Sequence, residues 1–481
     1  MELMKNMSQK SQLVKNTIII AIGKISTQIL SYILLPLFTA RMAVEQYGTY
    51  DLGCTLSLFL CPIITLLMEE SMFRFLIDAK DIREKRKIIS QTIIYTLVGT
   101  LIFVPLAILV FSSTKKYPSS FAFAFIVFVI SNIFINLSNA LARGLSQIKI
   151  FSISNFILGI TTIILTIVAL LAFPNAEGLL WANSIANLAT SLIVFKKLKF
   201  KEYFGTYNKK IMKEMISYSI PLGPNSMSWT IINMSDRIIL TNFIDSTANG
   251  IYAMANKFPN IINVLYGYFY TAWKESAAKI LKQENKDAYY NSIYHDIKRF
   301  LFAVTLSLIA VMPFAFPIFI NEKYSEAYIY IPIIMLATYY SNISSFYGGI
   351  FSAYKDTKIM GTTTFIAASI NLIIDLIFVS KFKIYAACFS TLIADIIIYY
   401  YRRQRLKRFL KLKELTVFGP IIMMTIVCFA YYTKYIPGIS NAGYWIINVI
   451  SLIIAITYSY AINKKNIMVI IGKLKNRVRK N

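Results

Sequence analysis

Residues 233–243 read NMSDRIILTNF, so Asp236 and Arg237 stand side by side inside an otherwise apolar, helix-like run. Two kinds of chemistry are open to such a pair. The charges can neutralise one another or a neighbour, or the guanidinium can grip an oxyanion such as a phosphate, which its planar fork suits. Spacings of three and four residues place Asn225, Trp229, Asn233, Asp236 and Arg237 on one helical stripe. Asn249, Asn256, Lys257, Asn260 and Asn263 form a second stripe just downstream, with Pro259 set to bend the helix. Further stripes are Lys24, Thr27, Gln28 and Ser31, then Asn132, Asn136, Asn139 and Arg143. Asn183, Asn187 and Thr190 form another, as do Asn371 and Asp375.

A single polar residue among apolar ones glues helices together. Stripes on so many helices point instead to a shared hydrated cavity. Within it Lys24, Arg237 and Lys257 outnumber Asp236. The two readings, an internal salt bridge of Asp236 with Lys257 or Lys24 and a cationic clamp on phosphate oxygens, are compatible. Glu69, Glu70 and Arg74, in LMEESMFRF, suit a gate, an ion-coupling site or an interfacial helix end. Asp375 and Asp395 are single acids that can carry a coupling proton or cation, and Arg41 and Asp51 fall near an outer mouth in structural roles.

Covalent and metal chemistry find no residues. The one histidine, His295, lies in a loop, and Cys54, Cys61, Cys388 and Cys428 are spaced like packing residues without a CxxC. Lys24 follows Gly23 but lacks the rest of a phosphate-binding loop. No catalytic residue, metal ligand or cofactor site is expected.

The elements that position these residues follow from composition. Hydrophobic residues make up 57% of the 481-residue chain and charged ones 15%, against roughly 25% charged in soluble domains. Apolar runs of spanning length recur from end to end, and lipid admits only helices or closed barrels, whose strands would be shorter than these runs. The expectation is an all-α polytopic membrane protein of about 14 helices. The spans are 13–38, 47–73, 88–112, 119–142, 150–173, 177–197, 215–243, 248–273, 299–320, 327–350, 359–380, 384–401, 415–434 and 442–462. The first is too long, and too closely followed by others, for a cleaved signal. A charged residue at a bilayer centre costs roughly 2.5–3.5 kcal/mol, so the intramembrane charges should face one another or water.

The net charge of +27 suggests nucleic acid until its placement is considered. With the N-terminus cytoplasmic, most of the 50 Lys and Arg fall in loops and tails on that side, with clusters at 80–87, 196–201, 402–413 and 472–480. That is the positive-inside pattern, and it also favours anionic headgroups. It places both termini in the cytoplasm and membrane lipids, not nucleic acid, among the partners.

An internal repeat is visible. EQYGTYDLGC (45–54) lies against TANGIYAMAN (247–256), matching Gly48 to Gly250 and Tyr50 to Tyr252. The same offset sets the first span on the seventh and the second on the eighth. Parallel repeats of this kind predict two six-helix bundles facing a central cavity. The expected organisation is a first bundle over 1–197, a basic linker 198–214 and a second bundle over 215–401. A basic loop 402–414, two extra helices over 415–462 and a basic tail 463–481 complete it.

The segment YSIPLGPNSMSWTIINMSDRIILTNFIDSTANGIYAMANKFPNIINVLYGYFYTAWKE (218–275) resembles the central signature of bacterial polysaccharide-unit flippases. These are the Wzx-type O-antigen and capsule exporters of the multidrug/oligosaccharidyl-lipid/polysaccharide superfamily. Pro221, Leu222, Pro224, Asp236–Arg237, Gly250, Tyr252 and Ala272–Trp273 carry the match. Asn16, Gly23, Pro36, Leu37, Gly48 and Tyr50 carry a weaker one at the N-terminus. The resemblance implies a MATE-like, V-shaped pair of six-helix bundles with two extra helices, working by alternating access in the bacterial cytoplasmic membrane. It implies as substrate an oligosaccharide on undecaprenyl pyrophosphate, moved from the inner to the outer leaflet for surface polysaccharide assembly. On that reading Lys24, Arg237 and Lys257 receive the pyrophosphate. Gln28, Asn132, Asn136, Asn233, Asn256 and Asn260 face the sugars, and Asp236, Glu70 and Asp375 serve as charge partners or coupling groups. A polysaccharide polymerase and other assembly proteins are implied partners. The competing readings are a flippase for another lipid-linked cell-wall precursor, a drug or organic-cation antiporter wanting an acidic cavity, and, remotely, a membrane polymerase.

Overall fold

The computed structural model describes residues 32–281, 283–354, 356–410, 412–413 and 418–478. They are overwhelmingly helical, with no strand among them. The helices are α1 (Leu35–Arg41), α2 (Val44–Thr65), α3 (Met68–Asp78), α4 (Ile82–Thr114), α5 (Ser119–Gly144), α6 (Ile148–Ala172), α7 (Ala176–Lys197), α8 (Lys209–Ser219) and α9 (Gly223–Phe243). They continue as α10 (Ser246–Ala255), α11 (Lys257–Ile280), α12 (Lys286–Phe319), α13 (Ile331–Ala353), α14 (Thr357–Phe382), α15 (Ile384–Leu406), α16 (Phe418–Tyr432) and α17 (Asn441–Val478).

Among the described residues nine helices are long and apolar enough to cross a membrane, and the protein is a multi-pass membrane protein. Every expected span after the first coincides with a helix; most of the first lies outside the described residues. Three spans are interrupted. The second breaks between α2 and α3 at Leu66 and Leu67, which both take left-handed backbone, φ 49° and 55°. The seventh divides into α8, a short 3-10 turn at Ile220–Leu222 and α9, where Pro221 and Pro224 interrupt the backbone hydrogen bonding. The eighth breaks at Asn256, between α10 and α11.

Sequence explains the helix starts. Asp81 accepts from the Glu84 amide at 2.7 Å while Glu84 accepts from the Lys80 amide at 2.8 Å, a reciprocal N-terminal cap. Asn175 caps α7 through the Gly178 amide and Asn208 caps α8 through the Ile211 amide.

The chain divides into two compact units, one holding the described elements up to Gly250 and the other those from Ile251 onward. The division falls within α10, not in the basic segment 198–214. That segment is packed, not loose. Arg86 Nε donates to the Glu202 carbonyl at 2.6 Å, Gln91 Nε2 to the Thr206 carbonyl at 3.1 Å, and the Gly205 amide to Ser90 Oγ at 2.6 Å.

The first unit buries two apolar cores. One gathers Ile64, Phe103, Phe121, Phe125, Phe128 and Leu180; the other gathers Met68, Met72, Ile89, Leu141, Val194 and Met215. Large apolar side chains on α4 and α6 stay exposed, as lipid-facing helices require.

In the second unit Trp273 is wholly buried, stacks on Phe346 at 4.4 Å and donates its indole N–H to that residue's carbonyl at 3.1 Å. α16 and α17 pack on α12. Ser307 meets Ser459 at 3.1 Å, and Asn466 donates to Asp296 at 3.0 Å. At the other end Tyr328 stacks on Tyr431 at 4.1 Å.

The repeat seen in sequence returns as a reciprocal helix crossing in the first unit. A Cβ on Gly48 would lie 1.9 Å from the Ser246 carbonyl oxygen, and one on Gly250 would lie 2.1 Å from the Val44 carbonyl oxygen. Each glycine meets the carbonyl four residues before its repeat mate. The first turns of α2 and α10 therefore touch backbone to backbone, as small-residue crossings in membranes do. Asn249 seals the contact, donating to the Gly48 carbonyl at 2.7 Å.

Candidate functional site

α9 carries the charged pair. Asp236 is buried. Arg237 is 15% exposed and its Nε donates to Asp51 Oδ2 at 2.6 Å, with Asp51 19% exposed on α2. Thr241 Oγ1 donates to the Arg237 carbonyl at 2.7 Å, anchoring the helix one turn on. Asp51 thus holds the guanidinium by one edge of its planar fork, a group whose shape suits oxyanions.

The other expected site residues separate into classes. Lys24 and Gln28 lie outside the described residues, as does the side chain of Asn233. Lys257 is half-buried at the first position of α11, beside Asn256 at the break, which donates to the Tyr252 carbonyl at 2.9 Å. Asn136 and Asn260 are exposed.

Asn132 belongs to a network joining α2, α5 and α7. It donates to Ser57 Oγ at 3.0 Å and accepts from Asn187 at 3.2 Å, and Asn187 also donates to Ser131. That geometry is helix glue, and it engages both ends of the Asn132 amide.

Glu70 opens the first turn of α3, where helix-dipole and charge effects favour an acid. Arg143 reaches it from α5 at 3.4 Å and lies over the Phe73 ring, 4.7 Å from its centre. Glu70 thus meets Arg143, a member of the fourth-span stripe. Its neighbour Glu69 is buried. Asp375 is fully buried on α14. Among the described residues no group of three His, Cys, Asp or Glu could hold a metal ion.

Two features escaped the sequence reading. Asp51 was placed at an outer mouth without a partner. Nothing in local periodicity links it to a residue 186 positions away.

Arg402 was assigned to a basic loop. Instead α15 continues to Leu406 and Arg402 is 1% exposed. Its guanidinium donates to Thr363 and Thr364 hydroxyls at 2.9 and 3.0 Å and to the Ser344 carbonyl at 3.1 Å. These neutral acceptors bind α15 to α13 and α14. A basic run that follows a span reads as a topology signal even when its first member turns inward.

The polysaccharide biosynthesis protein family matches residues 13–273. A curated relative, "Lsg locus putative protein 1" of Haemophilus influenzae, is 22% identical over 279 residues, covering 54% of this chain and 67% of that protein.

Among solved structures, the lipid II flippase MurJ in an inward closed conformation is similar at TM-score 0.72 and 16% identity, covering 94% of this chain and all of that one. An inward-facing multidrug resistance MATE family transporter of the MOP superfamily is similar at TM-score 0.64 and 13% identity, covering 81% and 98%. A MOP superfamily transporter from Pyrococcus furiosus, whose title describes a binding pocket of reverse polarity, is similar at TM-score 0.52 and 15% identity, covering 83% and 96%. These likenesses establish the fold: all-helical, of the MATE and MurJ type.

Proposed function

The chain belongs to the polysaccharide biosynthesis protein family, and from that premise we propose that it is a flippase. It moves undecaprenyl-pyrophosphate-linked oligosaccharide units from the inner to the outer leaflet of the bacterial cytoplasmic membrane, by alternating access. The expected six-helix bundles are the two halves that alternate. No covalent chemistry is assigned to the chain, which acts as a transporter and not as an enzyme.

The observation that carries this reading is Arg237, a half-buried guanidinium in a membrane helix, in contact with the Asp51 carboxylate at 2.6 Å. Such a group, in low dielectric, binds phosphate oxygens strongly and bidentately. Lys24 and Lys257 are its proposed companions on the pyrophosphate, and Asp236 tunes them. Both termini are placed in the cytoplasm, where the basic loops meet anionic lipid. A polymerase and other assembly proteins take over the exported unit.

The test is surface polysaccharide in cells carrying Arg237→Ala. Export is lost while the variant reaches the membrane at near-normal levels; normal export by that variant would overturn the assignment. Arg237→Lys separates the two modes of recognition, keeping part of the activity if a point charge suffices and little if the fork is needed.

A further inference from the structure

The end of the first unit that the basic loops avoid holds a cavity of about 390 Å³. Four chain turns meet there: the start of α2 with Glu45, the α4–α5 loop with Lys116 and Tyr117, the start of α7 with Glu177, and the α9–α10 turn with Asp245.

Three carboxylates and one ammonium line it, and the ammonium is engaged. Lys116 Nζ donates to the Thr241 carbonyl and to Asn242 Oδ1, both at 2.9 Å, closing the C-terminal end of α9, where a cation is favoured. Burial also holds this ammonium below the ordinary lysine range.

The carboxylates keep acceptor capacity. Glu177 takes one hydrogen bond, from Ser120 at 2.7 Å, and Asp245 takes one, from the Ala248 amide at 2.7 Å. Glu45 has no side-chain partner among the described residues, and each carboxylate offers about four acceptor sites. One wall is aromatic: Tyr117 lies against Phe121 with ring centres 5.0 Å apart and planes 30° apart.

A ligand for this cavity must be rich in donors, must carry apolar C–H faces for the aromatic wall and must lack negative charge. Hydroxyl-rich and amine-bearing sugars meet all three conditions. Phosphates and uronic acids fail the third. A bound metal is disfavoured because the acids do not cluster at ligating distance.

We propose that this cavity is a glycan subsite selective for sugars without acidic groups, amino sugars binding best. It rests on the reading above only in that the transported headgroup supplies the sugar.

The test uses the full chain in lipid nanodiscs with three free probes: glucosamine, N-acetylglucosamine and glucuronic acid. Saturation-transfer NMR and titration read binding. Glucosamine and N-acetylglucosamine bind, and glucuronic acid binds at least about tenfold more weakly, a difference of about 1.4 kcal/mol. Glu177→Gln and Glu45→Gln each weaken glucosamine several-fold and narrow its advantage over glucuronic acid. Tyr117→Ala weakens both neutral and amine-bearing probes, and Tyr117→Phe, which keeps the ring, restores N-acetylglucosamine.

Equal binding of glucosamine and glucuronic acid by Arg237→Ala overturns the proposal. So does unchanged binding in Glu45→Gln and Tyr117→Ala, because Glu45 is exposed and its exchange leaves the fold intact. Arg237→Ala leaves glucosamine and N-acetylglucosamine unaffected, since neither carries an anionic group, and the comparison with glucuronic acid is read in that variant, where carboxylate binding at the clamp is absent. Export by that variant therefore judges the pyrophosphate clamp, and probe binding judges the cavity, each without the other.

Discussion

Arg237 and Asp51 meet at 2.6 Å from helices far apart in sequence, each less than one fifth exposed. A pair so placed is coupled. A double-mutant cycle of Asp51→Ala and Arg237→Ala, read by thermal melting in detergent, should give an interaction of roughly 0.5–3 kcal/mol. Additive effects of the two changes would show that the contact contributes nothing. Arg402 makes a sharper case. Its guanidinium is wholly buried among neutral oxygens, so Arg402→Ala removes at least three hydrogen bonds and leaves a cavity between three helices, and should cost several kcal/mol. Arg403, its neighbour in the same basic run, is half-buried but not enclosed, and its exchange should cost far less. Near-equal losses of stability would contradict this distinction. At this scale the sequence made Arg237 legible, because a charge in an apolar run is conspicuous. It hid Asp51 and Arg402. A periodic stripe names the face a residue occupies, not what lies opposite it, and a lysine-rich surrounding masks one inward-turned arginine. In the Asn132 stripe the amide's hydrogen bonds run to Ser57, Asn187 and its own helix, contacts between helices that periodicity does not announce.

Gly48 and Gly250 govern how helices meet. The repeat made them visible in sequence, and the crossing of α2 and α10 shows why glycine stands at both: a methyl group at either would sit within about 2 Å of a carbonyl oxygen. Gly48→Ala and Gly250→Ala should each lower the melting temperature markedly, overpacking typically costing about 1–3 kcal/mol. Gly223, whose Cβ would meet no atom of the described residues, is the control. Melting of the two variants at the native temperature would contradict the close crossing. The break between α2 and α3 was invisible. No glycine or proline marks Leu66 or Leu67, and hydropathy runs straight through both. The left-handed backbone there costs about 1–2 kcal/mol per residue. It is held by Thr65 Oγ1, which accepts from the Leu67 amide at 3.2 Å. Leu66→Gly should therefore be tolerated, since released strain offsets lost packing. Leu180→Gly, in regular helix and fully buried, should destabilise strongly. Element existence was readable because each span buries apolar length in lipid. Element continuity was not, because hydropathy is blind to φ.

Over the whole molecule, helix alternation and loop charge define two ends of the first unit. The turns bearing Lys116, Glu177 and Asp245 share one end, as their common cavity requires. Cysteine introduced at Asp245 or Lys116 should label from the outside of intact cells, and cysteine at Glu84 or Lys199 only after the membrane is opened. Uniform labelling would contradict the assigned topology. On the proposed reading, a cationic site built on Arg237 recognises a lipid-linked pyrophosphate sugar. A ligand that binds the native state raises its stability by mass action. The most direct measurement is thus thermal stabilisation of the purified protein, native and Arg237→Ala, by an undecaprenyl pyrophosphate oligosaccharide and by a hydrophobic organic cation. The lipid-linked sugar should stabilise the native protein but not Arg237→Ala, and the cation should stabilise neither. Stabilisation by the cation alone, unchanged in Arg237→Ala, would contradict that reading and turn attention to buried Asp236.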